Sequence, residues 1–184
     1  MNNALADIVH ALFDVACFLF LARFILQASR ADFYNPVSQG IVKVTDPLLR
    51  PLRMVIKGFR NFDIAAFVTA WVVQFVAYAL ITRMGGDQLP ILSLAVLALY
   101  QVLQLLLLIY SGALIIVIVI SWVAPGSYNP MAELLGQVTE PLLAPVRRFI
   151  PPVGGLDFSV MVVLLVLMLI RNYLLPAILL SLFQ

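Results

Sequence analysis

Asp7, His10, Asp14 and Cys17 recur at three- and four-residue intervals, which sets them along one face of a helix. Ionisable residues at membrane depth, the chain's single histidine among them, are costly enough to suggest a function, and this face could line a hydrophilic path. Gln74, Gln101 and Gln104 are further polar residues inside apolar stretches and could extend a hydrophilic path. Interhelical hydrogen bonds, typically about 0.6 kcal/mol each, explain the same residues and are the preferred reading. Asp14 and Arg171 stand at similar depths in the first and last apolar stretches, so a neutralising pair between them is the sharpest pairwise expectation. Cys17, the only cysteine, reads as a small buried side chain. Arg23 is expected to snorkel to the nearby interface.

A second set of residues occurs twice at a fixed offset. Tyr34, Asn35, Pro36, Val44, Thr45, Pro47, Leu48, Leu49, Pro51, Arg53, Ile56 and Asp63 return as Tyr128, Asn129, Pro130, Val138, Thr139, Pro141, Leu142, Leu143, Pro145, Arg147, Ile150 and Asp157, with Asp46 answered by Glu140. Such an offset marks a duplicated unit. Asn35-Pro36 and Asn129-Pro130 are helix starts, a capping side chain followed by proline at the first helical position. Thr45-Asp46-Pro47 and Thr139-Glu140-Pro141 are expected to break the helices begun there with a kink, followed by a short second segment, because residues before proline are pushed out of the α region. Arg53 and Arg147 are the shared cations. Snorkelling or contact with anionic lipid is the preferred reading for them, and an ion pair to Asp46 and Glu140 that fixes the kink is the sharper alternative. Asp63 and Asp157 are expected to cap the helices behind them, with a proton or cation site as the alternative.

The elements that hold these residues follow from composition. The chain is 64% hydrophobic and 11% charged, too apolar to cover a soluble surface. An all-α, polytopic membrane protein is expected. Spans are predicted over 4–28, 63–84, 98–123 and 158–180, each near the twenty residues a bilayer crossing needs. The repeat offset divides the chain into a first repeat over 1–84, a connector over 85–97 and a second repeat over 98–184. Gly85-Gly86-Asp87 is predicted to turn, and Leu89 to Leu97 to form a short interfacial or re-entrant piece. The result is four transmembrane helices in two parallel repeats of helix, amphipathic loop and helix. The N-terminus lacks the basic start of a cleaved leader, so the first span is expected to be retained.

Eight of the eleven Lys and Arg residues fall in the two long loops: Arg30, Lys43, Arg50, Arg53, Lys57, Arg60, Arg147 and Arg148. The positive-inside rule then expects cytoplasmic loops and external termini. Val37, Ile41, Val44 and Leu48, like Met131, Leu134, Leu135, Val138 and Leu142, recur at helical spacing, so each loop is expected to lie in the headgroup plane. Pro151-Pro152-Val153-Gly154-Gly155 closes the second loop. Anionic lipid is the expected partner, with other membrane proteins or a second copy as further candidates and no direct contact with nucleic acid.

With one histidine and one cysteine, the sequence offers no His/Cys metal cluster and no haem attachment, and it carries no nucleotide-binding or hydrolase signature. Catalysis and cofactors are therefore not expected. The pattern Asn-Pro, then Thr-[Asp/Glu]-Pro-Leu-Leu-x-Pro-[Leu/Val]-Arg, then Asp, twice in a chain of this length, resembles the YggT/YlmG family of the two-repeat proteobacterial type. The second copy, through Leu156-Asp157-Phe158-Ser159, fits the pattern better. The first departs with Lys57-Gly58-Phe59-Arg60-Asn61 and with Ala65 in place of Ser159. The resemblance implies an inner-membrane protein linked to osmotic-stress tolerance and ion uptake, with some relatives near cell-division genes. Plastid relatives are linked to nucleoid distribution and cytochrome b6 maturation. Two functions are expected from this: a non-catalytic scaffold or assembly factor, which is preferred, or a small cation transporter or channel component.

Overall fold

The computed structural model describes residues 2–86, 88–123, 129–150 and 157–183. Tyr128 and the Pro151–Gly155 stretch lie outside them. The elements are α1 (Asn2–Ala28), α2 (Pro36–Val55), α3 (Ile64–Gly85), α4 (Ile91–Val123), α5 (Pro130–Arg147), α6 (Phe158–Leu169) and α7 (Leu175–Leu182). A π-helical turn, Ile170–Leu174, joins α6 to α7. Among the described residues, four helical stretches are long and apolar enough to cross a membrane: Ala4–Ala28, Ile64–Gly85, Ile91–Ile120 and Phe158–Leu182.

The helix starts agree closely with the sequence. Asn35 Oδ1 accepts from Val37 N at 3.0 Å as α2 begins, and Asn129 Oδ1 accepts from Met131 N at 2.9 Å as α5 begins. Gly86 ends α3 in the left-handed region, with φ of 82°, and its N–H returns to the carbonyls of Arg83 and Thr82. Glycine takes that conformation without the Cβ clash other residues would meet.

Two expectations are corrected. Residues 91–97 do not form a short piece separate from the third span. They are the first turns of α4, which starts after Pro90 with the bond from Leu94 N to Pro90 O at 3.1 Å. No proline lies within α4 to interrupt it. Nor do α2 and α5 break at their prolines. Pro47 and Pro51 lie inside α2, and Pro141 and Pro145 inside α5. Each proline removes a backbone donor, at a cost of about 3 kcal/mol in an ordinary helix interior. Thr45 Oγ1 donates to Ile41 O at 2.7 Å and Thr139 Oγ1 to Leu135 O at 2.8 Å, in the turn before the first internal proline of each helix. The carbonyls that Pro47 and Pro141 leave without a helical donor are those of Lys43 and Gln137. Asp46 reaches Arg50 one turn on and Arg53 two turns on, so ion pairs span both prolines of α2.

The residues pack as two compact units. The first comprises Met1–Phe24 and Ile41–Leu106. Here α3 buries Ala65, Ala66, Thr69, Ala70, Gln74 and Ala77, and these small side chains permit close helix approach. Trp71 Nε1 donates to Ala95 O at 3.0 Å, and Phe24 packs on Phe62 and Phe67 at ring-centroid distances of 6.0 and 5.4 Å. The second unit comprises Ile25–Gly40 and Leu107–Gln184. Its core is Leu114, Leu143, Val160, Val163 and Leu167. Within it Asn35 Nδ2 donates to Pro130 O at 2.7 Å, so the helix start of the first repeat is tied to that of the second.

Candidate functional site

Two groups of polar side chains stand out, and each grows from a local feature. The first is a pair of arginine clamps. Arg53, near the end of α2, donates through Nη1 to Asp46 Oδ1 at 3.3 Å and through Nη2 to Asp63 Oδ2. Asp63 in turn accepts from Ala66 N at 3.3 Å and caps α3. In the second unit Arg147 donates through Nη1 to Glu140 Oε2 at 2.6 Å and through Nε to Asp157 Oδ2 at 2.8 Å. Asp157 caps α6 by accepting from Ser159 N at 3.0 Å. Each arginine thus joins the proline-bearing helix to the start of the returning span. The geometry displays the ion pair for both shared arginines, and it extends to a second carboxylate in each case.

The copies differ in their surroundings. Asp63 is almost fully buried, whereas Asp157 keeps a quarter of its side chain exposed. Arg50 also binds Asp46 at 3.1 Å, and the buried Arg23 has its Nη2 4.0 Å from Asp46, so Arg23 reaches the clamp rather than water. Ser159 Oγ donates to Asp157 Oδ1; Ala65 holds the equivalent place in the first copy and has no hydroxyl. The serine is thereby explained as a partner of the capping carboxylate. Burial alone would raise the pKa of Asp157, but the Ser159 hydroxyl and the Arg147 guanidinium together hold it below the ordinary carboxylate value. Burial works against the charge on Arg147, and Asp157 and Glu140 overcome it, raising its pKa.

The second group lies within the first unit, between α1, α3 and α4. Asp14 Oδ2 lies 3.0 Å from His10 Nδ1. Its Oδ1 accepts from Gln74 Nε2 at 2.7 Å and is 3.5 Å from Gln101 Nε2. Gln74 is fully buried, and its Oε1 has no hydrogen-bond partner among the described residues. Tyr78 sets its ring edge-on to His10 at 5.8 Å, and Tyr100 Oη accepts from Gln104 Nε2 at 2.9 Å. His10, Asp14, Gln74 and Gln101 are therefore brought together. Asp7 is exposed near the start of α1. Arg171 belongs to the second unit, in the π-helical turn. Among the described residues, no three His, Cys, Asp or Glu side chains are grouped to hold a metal ion.

Sequence reasoning missed the bonds from Arg53 to Asp63 and from Arg147 to Asp157. A signal was available, since both pairs are identities of the repeat separated by the same ten residues. It also missed that Gln74 and Gln101 converge on Asp14, which only the packing of three helices decides.

Comparison with known proteins places the chain among similar sequences. A family model described as CCB3/YggT matches residues 2–84 and 96–178. An uncharacterized protein of Pseudomonas aeruginosa is 45% identical over 172 residues, covering 92% of this chain and 87% of that one. A Vibrio alginolyticus protein, described by its place in the proC 3' region, is 40% identical over 165 residues, 87% of each chain. YggT of Escherichia coli K12 is 34% identical over 169 residues, covering 92% of this chain and 88% of that protein. No solved structure matches.

Proposed function

The chain belongs to the CCB3/YggT family, and from that premise we propose that it is a non-catalytic scaffold or assembly factor of the bacterial inner membrane, with α2 and α5 lying along the cytoplasmic headgroup layer. One observation carries the reading. Helix α2 turns Thr45 and Leu49 inward, yet leaves Val44 (62%), Leu48 (51%) and Val55 (83%) exposed along another face. Lys43 and Arg50 are exposed on the same helix, and Lys57 is exposed just beyond its end. An apolar strip beside cations is what an interfacial helix offers to anionic lipid, at about 1 kcal/mol per basic side chain near the surface. The second copy differs: Val138, the equivalent of Val44, is 5% exposed, and the exposed Phe149 (86%) and Arg148 stand just past the end of α5. The clamps support it by fixing each of these helices to a returning span. Loop cations on one side support cytoplasmic loops and external termini. Membrane proteins, a second copy included, are the partners such a platform would gather, and slower growth of a deletion strain at raised osmolarity is the expected phenotype.

The test uses single cysteines in a Cys17→Ala background, labelled with a polarity-sensitive fluorophore in nanodiscs. A label at Val44→Cys should report an acyl environment and one at Lys43→Cys an aqueous one, with the contrast reduced when anionic lipid is left out. Equal water exposure at both positions would overturn the reading.

A second reading, a small cation transporter or channel component, is favoured by the Asp14 group on three apolar helices. It requires ion flux in proteoliposomes that Asp14→Asn and His10→Gln abolish. Absence of flux from the wild-type protein removes it.

A further inference from the structure

We propose that Asp14 and His10 form a proton-binding site at mid-membrane depth that holds one proton at neutral pH. Asp14 lies in the span Ala4–Ala28, Gln74 in Ile64–Gly85 and Gln101 in Ile91–Ile120. At 1.5 Å per residue, each stands about 15 Å or more from both ends of its span, roughly half the thickness of the hydrocarbon layer. Three helices thus place a polar group at the same depth, and the groups touch.

The chemistry of the contacts points to a proton. All three hydrogen-bond partners of the Asp14 carboxylate present nitrogen, and two are neutral amides. Amides can stabilise a carboxylate but cannot cancel its charge, and an uncompensated charge in a medium of low dielectric is strongly disfavoured. Among these partners only His10 can bring a positive charge. Neutrality is reached in two ways: the proton sits on Asp14 Oδ2 beside a neutral imidazole, or on His10 Nδ1 beside a carboxylate. The two atoms are 3.0 Å apart, so a proton passes between them without rearrangement of heavy atoms. Uptake of that proton from water takes the site from a net charge of −1 to zero.

The titratable groups facing the site are few. Asp7 and Cys17 share α1 with it, Tyr78 comes from α3 and Tyr100 from α4. Phenols and a thiol supply no cation. The fully buried Gln74 Oε1, without a partner among the described residues, leaves one acceptor at the same place. The repeat does not reproduce the group: Asp14 corresponds to Leu108 and Gln74 to Met168. The site is therefore a property of one unit, not of the duplicated framework.

The proton site shares its residues with the transport reading but does not require flux, so a held proton in a protein without flux ends that reading and leaves this one standing. The chain has one histidine, and full-length protein labelled with 15N-histidine in nanodiscs therefore gives one imidazole signal. Infrared spectra of the same sample report a protonated carboxyl through its C=O band. At neutral pH the expected result is one proton in total: either an imidazolium signal with no Asp14 acid band, or a neutral imidazole with such a band that Asp14→Asn removes. If Asp14→Asn does not fold, Asp14→Glu keeps the acid and displaces the band, which assigns it equally well. A neutral imidazole with no acid band overturns the proposal, as does an imidazolium together with that band.

Discussion

Arg147 donates through Nε to Asp157 at 2.8 Å, while the same carboxylate accepts from Ser159 N and so begins helix α6. One carboxylate thereby satisfies an orphan amide at a span's start and neutralises a cation ten residues back. Removing the cation leaves a charge at the cap, and removing the carboxylate releases both helix start and arginine.

The two clamps should differ in strength because they differ in burial. The Asp63 side chain is 3% exposed, that of Asp157 25%. Arg53→Gln leaves an almost fully buried carboxylate without its main partner and is expected to cost about 3 kcal/mol. Arg147→Gln acts where water can compensate and is expected to cost about 1 kcal/mol. Unfolding of the two variants in mild detergent measures the difference, and equal losses would mean that burial does not set the strength of the clamp.

Acid should loosen the second clamp. The folded pKa of Asp157 lies below its ordinary value of 3.8. Such a group stabilises the fold fully above the unfolded value, and that contribution is lost as pH falls through the lower folded value. Stability measured from about pH 5 downward should therefore show an acid-dependent fall with an Asp157 component. Asp157→Asn is expected to be less stable at neutral pH and to show a shallower fall. An unchanged acid slope would exclude Asp157 as its source.

Thr45 and Thr139 should be worth similar amounts. Each is almost completely buried and each returns its hydroxyl to a carbonyl one turn back. Thr→Val keeps the shape and removes the bond, so each change is expected to cost about 1 kcal/mol. A loss confined to one copy would show that the hydroxyls do not serve the same purpose in the two proline-bearing helices.

Gln74 tests the mid-span group by subtraction. Gln74→Leu takes from Asp14 its shortest hydrogen bond, 2.7 Å, and should destabilise by about 1–3 kcal/mol, the usual cost of leaving a buried polar group unsatisfied. Asp14→Leu with Gln74→Leu removes donor and acceptor together and is expected to recover part of that loss. Additive losses in the double variant, read by unfolding in detergent, would show that the two side chains do not depend on each other.

The spans were legible because twenty apolar residues in a row have few alternative readings, and the helix starts because Asn-Pro combines a cap with a fixed φ. Asp63 and Asp157 were legible as caps from their place before an apolar run. The prolines misled for a physical reason. Rules for proline count a lost backbone bond and a steric bias, but they do not see Asp46, Arg50 and Arg53 tied across the same turns. The start of α4 was misread because the repeat offset fixes where a copy begins, not where its helix does. Ile91 to Leu97 are as apolar as the remainder of the helix, and Pro90 marks the first turn. The convergence on Asp14 depends on helices whose contacts are far apart in sequence, which local spacing does not encode.

The unbroken α4 sets a geometric condition on any bilayer that holds it. Its apolar stretch, Ile91–Ile120, has 30 residues and so measures about 45 Å at 1.5 Å per residue. A hydrocarbon layer is about 30 Å thick, and a rod of that excess length must lean or thrust its ends among the headgroups. Lengthening the acyl chains relieves the mismatch for this rod but strains the 22-residue Ile64–Gly85, which is about 33 Å long. A single membrane thickness cannot suit both spans, and the compromise between them couples the tilt of α4 to the composition of the lipid around it.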